Sequence, residues 1–383
     1  MTVSTSSAPA PRLKYELEPY KPLGEAELTS RIERAKRAMG SRLLILGHHY
    51  QQDKVIAFSD LRGDSYKLAS LAASDEQCEA IVFCGVHFMA ETADILANRP
   101  ERLAARDGRR VPVVLPDLDA GCSLADMADI DQVEECWAQL GEVIDTADLL
   151  PITYVNSSAA LKAFCGRHGG IVCTSSNARA AIEWAFARRS RVLFFPDQHL
   201  ARNTALAMGI PLEQMPLWNP HARELGGLEP DALTQSRVIL WTGHCSVHQV
   251  FRPEHVERFR KKFPEGRVIV HPECMMEVVE RADLSGSTAA IILAVEQAPP
   301  GTHWAIGTEL NLVNRLKHEH PEQHIYFLAD VACLCTTMYR IDLTHLCWSV
   351  ENLAAGTPVN VIEVEPETAR GALLALQRML EVR

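Results

Sequence analysis

Residues 111–123 read VPVVLPDLDAGCS, an apolar β-branched run that breaks at Pro116 and ends on Cys122. Two later stretches repeat it: RVILWTGHCSVH at 237–248 runs into Cys245, and HIYFLADVACLCTTM at 324–338 runs into Cys335. An apolar run bounded by Gly, Asp or Pro reads as a buried strand. In an open α/β sheet the carboxyl ends of such strands face the ligand crevice. Three cysteines so placed, far apart in the chain, meet at one point if three similar units face one another.

The rest of the chain is consistent with one unit written three times. RLLILGHHYQ at 42–51 is an apolar strand running into His48 and Tyr50, two positions apart and so on one side of an extended backbone. PITYVNSSA at 151–159 places Tyr154 and Asn156 at the same spacing, and RVIVHPEC at 267–274 places His271 and Glu273. A second strand is expected next in each unit: EAIVFCGVHFMAE at 79–91, then GGIVCTSSNA at 169–178, then a weaker one before LSGSTAAII at 284–292. Their hydroxylic ends, with Ser175, Ser287 and Thr288, leave backbone N–H groups free at a helix start, an anion site or a plain N-cap. The middle unit is expected to insert RVLFFPDQHLARNTA (191–205) and a Pro- and Trp-containing excursion (215–233) before its cysteine strand.

Helical patterns such as AALKAFCGR (159–167) and ELNLVNRLKHEH (309–320) alternate with the strands. That alternation calls for right-handed crossovers and parallel sheets covered on both faces. The expectation is therefore an α/β protein of three three-layer αβα domains with parallel sheets in pseudo-threefold arrangement, an internal triplication. The expected boundaries are a disordered or extended tail over 1–27, a first domain over 28–135 joined by 345–383, a second over 149–255 and a third over 262–344. The closing segment 357–380 is expected to add a strand and a helix to the first unit.

Composition narrows the partners. The 383 residues are 47% hydrophobic and 23% charged, globular values, with a formal charge of −11 and no cluster of Lys and Arg. No nucleic-acid surface is expected, and a small-molecule ligand is the default. No apolar run reaches the roughly 18–20 residues of a membrane span, and MTVSTSSAPAPR at the start resembles a disordered tail more than a signal peptide. A cytoplasmic location follows. Eleven cysteines without an export signal argue against a disulfide framework. Cys78, Cys84, Cys136, Cys165, Cys173 and Cys347 read as small buried hydrophobes.

Three sulfurs from three units suit a [4Fe–4S] cluster whose fourth iron lacks a cysteine, and an iron left open in a pocket points to Lewis-acid dehydration more than to electron transfer. Zinc is the metal alternative, with Cys333-x-Cys335 and Cys245-x-x-His248 as the nearest short motifs. Three unrelated buried cysteines are the bland alternative. An iron–sulfur redox sensor or electron carrier stays open as well.

GHHYQ, GVHFMAETA, YVNSSA, CTSSNA, PDQHLARNTA, GHCSVH, HPEC, DLSGSTAAI and C-x-x-M, spread over residues 47–341, together resemble the quinolinate synthase family. The resemblance implies a [4Fe–4S] cluster on Cys122, Cys245 and Cys335, with Cys333 a rival for the last place. It implies condensation of iminosuccinate (iminoaspartate) with dihydroxyacetone phosphate to quinolinate, phosphate and water in NAD biosynthesis, with an L-aspartate oxidase or dehydrogenase supplying the iminosuccinate. Catalytic roles fall on Tyr50, His48, Glu273 and His271, and substrate binding on His48, Ser65, Tyr154, Asn156, Ser175, His271, Glu273, Ser287 and Thr288. The acid–base role of His48 rests on an imidazole titrating near neutrality. The chain departs from the family at His49, often Tyr or Asn there, and in the long linker over 208–236.

Overall fold

A computed structural model describes residues 15–75, 77–331 and 334–382. It contains three sheets built to one plan. The first is made of β1 (Leu43–His48), β2 (Leu61–Gly63), β3 (Ala80–Cys84) and β4 (Val113–Val114). The second has β5 (Leu149–Tyr154), β6 (Ile171–Cys173), β7 (Arg191–Phe195), a short β8 (Leu217–Trp218) and β9 (Val238–Trp241). The third has β10 (Arg267–Val270), β11 (Leu284–Ser285), β12 (His303–Gly307) and β13 (His324–Phe327), and β14 (Val361–Ile362) returns to the first. The orders are β2-β1-β3-β4-β14, β6-β5-β7-β9-β8 and β11-β10-β12-β13. Numbered within each module with the inserted β8 set aside, all three read second-first-third-fourth, and every pairing is parallel except β14 on β4. The triplicated αβα architecture expected from the sequence is present.

This plan puts the site where it must be. From its first strand the chain crosses to one side, then back past it to the other, so the carboxyl ends of the first and third strands flank a crevice. In the third module Val268 and Val270 face one core layer and Ile269 the opposite one, the two-residue period of a strand covered on both faces. Helices start at side-chain caps next to the strand ends: Asp64 accepts from the Lys67 amide, Asp197 from Leu200 and Ser287 from Ala290.

Four details differ from expectation. EAIVFC is the third strand of its module and not the second. The second is β2, Leu-Arg-Gly at a sheet edge and partly exposed. An edge strand buried on neither side need not be apolar, so the hydrophobic pattern passed over it. RVLFF is likewise no insertion but the regular third strand β7, paired with β5 and β9; the only addition to the middle sheet is β8 from the excursion.

The closing segment splits its allegiance. β14 joins the first sheet, but helix Pro366–Glu381 lies on helix Ala159–Arg167 of the second module. There Gly371 sits so close to Gly166 that a Cβ on Gly166 would lie 1.8 Å from the Gly371 carbonyl oxygen. Asn177 ties the end of the same helix by donating to Met379 O and Val382 O.

Order also begins before residue 28. Tyr20 is 2% exposed and donates to Glu351 at 2.6 Å, and helix Glu25–Met39 packs on helix Leu343–Ala355. Helix Ile130–Gly141 turns to the second module, with Trp137 against Phe164 and His168 at 5.5 and 4.6 Å. Among the described residues no helix is long and apolar enough to cross a membrane.

Candidate active site

Each opening strand delivers its i, i+2 pair into one shared cavity of about 70 Å³. In two modules the spacing does the same job. The Tyr50 amide donates to His48 Nδ1 at 3.2 Å, and the Glu273 amide to His271 Nδ1 at 3.3 Å. With Nδ1 an acceptor, the proton of each neutral ring sits on Nε2. Burial pushes both imidazoles down to about 3, with His49 and Arg315 adding to the effect at His48. Burial holds both rings neutral, which corrects the expectation, drawn for His48, of an imidazole titrating near neutrality. A ring without access to water cannot carry its charge at ordinary cost.

A chain of polar contacts joins all three modules. Tyr50 Oη lies 3.1 Å from Thr288 Oγ1 and 2.9 Å from Thr308 Oγ1, and Thr308 Oγ1 lies 3.2 Å from His248 Nε2. His248 Nδ1 is 2.6 Å from Glu273 Oε2, and Tyr154 donates to the same carboxyl group. His248 also stacks on His271 with ring centroids 4.5 Å apart. Burial alone would raise the Glu273 pKa. The adjoining His271 and His248, and the hydrogen bonds from His248 and Tyr154, reverse this and bring it down to about 2. Burial and the Glu273 charge together raise the Tyr50 and Tyr154 phenols well above 10, so both keep their protons.

Three thiols complete the wall. Cys122, Cys245 and Cys335 each stand three residues before a short 3₁₀ turn: Ala125–Met127, His248–Val250 and Met338–Arg340. In each, the carbonyl of the cysteine accepts from the amide four residues on, at 3.1, 3.1 and 3.0 Å. Amides of the same turns point at the sulfurs: Leu124 and Ala125 at Cys122, His248 at Cys245, Thr337 and Met338 at Cys335. Burial raises the Cys122 thiol to about 12, and the neighbouring Cys335 adds to it. The Cys245 thiol is raised by burial, by Glu273 and by both other thiols. Three mutually opposed thiolates need a cation among them to ionise together.

A thiol-rich metal group fits this donor set. Amides aimed at each sulfur are the hydrogen bonds that tune iron–sulfur centres. A mononuclear site on Cys245, His248 and Glu273, whose ligand atoms lie within 4.8 Å of one another, fits less well. It would engage Cys245 alone and leave Cys122 and Cys335, which face the same sulfur, without a cation.

Of the residues expected at the site, His48, Tyr50, Ser65, Tyr154, Asn156, Ser175, His271, Glu273, Thr288 and the three cysteines line this cavity. Ser287 does not; its hydroxyl caps helix Thr288–Glu296. Cys333 lies outside the described residues, and the six cysteines expected in the core are buried there. His248 was read as part of a short zinc motif with Cys245, and Thr308, which closes the polar chain, was not singled out. Nor was Asp64, which accepts from Ser176 Oγ at 2.9 Å between the first and second modules. Thr308 follows the third strand of its module, so recognising that strand in all three units is the signal that finds it. Glu91 of the first module accepts from the Ala159 amide at 3.0 Å, at the start of a helix of the second.

Fold and cavity define a class, a triplicated α/β protein whose thiol-walled cavity takes equivalent turns from every module. A family model described as quinolinate synthetase A protein matches residues 30–381. Quinolinate synthase of Rhodopirellula baltica is 64% identical over 369 residues, 96% of this chain and 94% of that protein. Those of Corynebacterium glutamicum and Halalkalibacterium halodurans are each 52% identical, covering 98% and 94% of this chain and 92% and 95% of their own lengths. The chain belongs to the quinolinate synthase family, a family of enzymes.

Proposed function

We propose that this enzyme condenses iminosuccinate with dihydroxyacetone phosphate to quinolinate, phosphate and water, as a cytoplasmic step of NAD biosynthesis fed by an oxidase or dehydrogenase acting on aspartate. One observation carries the reading: three thiols on equivalent turns of three modules share a cavity with a buried carboxylate and a polar chain that spans those modules. Cys122, Cys245 and Cys335 hold a [4Fe–4S] cluster, which when bound supplies a Lewis-acidic iron free of cysteine.

The protein's own groups supply binding and proton transfer. Nε2–H of His48 and of His271 donate to substrate carboxylates, as neutral donors that carry no charge to be repelled on an empty site. Ser65, Ser175, Asn156 and Thr288 complete the anion contacts. Ser65 and Thr288 stand at the first positions of helices of 10 and 9 residues, whose amides and dipoles favour an anion where the cavity wall has no Lys or Arg. Ser287 contributes by holding the second of these helix starts in place.

Glu273 is the base. Its pKa is held low, it is 2% exposed, and its Oε1 has no hydrogen-bond partner among the described residues, which leaves that atom to take a substrate proton. Tyr50 is a proton donor and relay, since its protonated phenol is already hydrogen-bonded toward His248 through Thr308. Tyr154 steadies Glu273 from the other side. Enclosure by three sheets limits water around intermediates.

The test is anaerobic reconstitution of the full chain with iron and sulfide, then assay for quinolinate from the two substrates. Activity and about four irons per chain are expected, with both lost in Cys122→Ser, Cys245→Ser and Cys335→Ser. Full activity in any of these variants overturns the ligation.

A further inference from the structure

The backbone that carries Tyr50 into the cavity is gripped at three successive carbonyls by one helix of the third module, Leu310–Glu319. Arg315 donates from Nη1 to His49 O at 2.8 Å, from Nη2 to Gln51 O at 2.6 Å and from Nε to Asp53 Oδ1 at 2.8 Å. Asn311 Nδ2 donates to Tyr50 O at 3.1 Å. Arg315 is 6% exposed, so its guanidinium is committed to these acceptors and has little freedom.

The same segment also reaches toward the cysteine turn. Gln51 Nε2 donates to Met338 O at 3.0 Å, and Gln52 Nε2 to Tyr339 O at 2.9 Å and Ile341 O at 3.2 Å. Those carbonyls belong to the turn that starts at Cys335, whose own carbonyl accepts from Tyr339. Glu309, the cap of the Arg315 helix, lies near the Cys335 amide. Residues 49–52 are therefore pinned between a helix and a thiol-bearing turn.

We propose that Arg315 is a positioning residue for Tyr50, and that Arg315, Gln51 and Gln52 couple Tyr50 to the Cys335 turn, so that filling the thiol site sets the place of the phenol. The coupling to occupancy rests on the metal centre proposed above; the positioning role of Arg315 does not. Arg315 touches neither reacting atoms nor sulfur. It acts by removing the freedom of the two carbonyls that flank Tyr50 and of the Asp53 carboxylate, and a shift of the cysteine turn is passed to Tyr50 because its two tethers leave no slack between them. Coupling of this kind is reciprocal.

Hydrogen exchange on the full chain tests it. In metal-free protein, Arg315→Gln is expected to speed exchange roughly 5- to 100-fold in both 48–53 and 335–341, with the sheet strands unchanged and Arg315→Lys recovering part of the protection. Acceleration in 48–53 alone, or throughout the third module, overturns the proposal. In loaded enzyme Arg315→Gln is expected to lower kcat about 100-fold with KM nearly unchanged; a change in KM alone counts against positioning.

Loading wild-type chain with iron and sulfide should slow exchange in both segments, and in the Gln51→Ala, Gln52→Ala double variant in 335–341 only. Slowing confined to 335–341 in wild type refutes the coupling while leaving the centre intact. If no iron binds, the metal reading fails, and Arg315→Gln in metal-free protein still decides the positioning role.

Discussion

Glu273, His48 and His271 show how burial assigns roles within a few ångströms. The carboxyl is held ionised by directed hydrogen bonds, while the two imidazoles, buried and each with Nδ1 facing a backbone amide donor, stay neutral. Two consequences can be measured. Glu273→Gln should lower kcat about 10²- to 10⁴-fold with the iron content unchanged. Replacing His48 or His271 by Gln should weaken substrate binding without altering the shape of the activity profile between about pH 6 and 8, since neither ring titrates there; a displaced acid limb counts against neutral donors.

Lys162 illustrates the cost of burial outside the cavity. It is 0% exposed, donates to Ser157 O and lies 5.4 Å from the Phe88 ring centroid, and burial lowers its pKa from 10.5 to about 8. The unfolded chain holds this proton more tightly than the folded one. The penalty is therefore full below pH 8 and is relieved as pH rises toward 10.5. Lys162→Met should raise stability at pH 7 by about 3 kcal/mol and flatten the gain between those limits, read from urea midpoints against pH. At this scale the motifs were legible, because residue type and spacing identify donors and thiols. Protonation was not, because it depends on what surrounds each group.

At the scale of elements, the strands that defined the repeat in the sequence are the ones buried on both faces. β1, β5 and β10 are buried and, Thr153 aside, apolar in their interiors, and could be read directly, whereas β2 and β11 are edge strands of three and two residues that carry no hydrophobic signal. The helix crossing at the end of the chain was invisible for another reason. Its requirement is an absence of side chain at Gly166 and Gly371, which becomes meaningful only when two distant segments touch. Gly166→Ala should lower stability by about 3 kcal/mol, since the methyl group would meet backbone that cannot rotate away. Gly24→Ala, where a Cβ meets nothing within 4 Å, is the control and should stay within about 0.5 kcal/mol by thermal unfolding.

For the whole molecule the cores are unequally shared. One continuous core spans the first two modules and the closing helices, while the third sheet has its own apolar layer on each face. The shared cavity joins the third module to the others through Tyr50, Arg315 and the three thiols. Loaded enzyme is expected to unfold in a single calorimetric transition. Chelation should remove a ligand that binds only the folded state and separate an earlier transition of the third module, identifiable by exchange in β10 and β12; one unshifted transition argues against a metal bridging the modules. From residue order alone came the apolar runs, their alternation with helices, the threefold recurrence of polar pair and cysteine, and so the triplicated fold, because each depends on neighbours along the chain. Which strand stands beside which, where the last helix docks, that His248 and Thr308 close a chain between Tyr50 and Glu273, and which groups keep a proton were decided only in three dimensions, because each depends on segments far apart in sequence meeting in a space from which water is largely excluded.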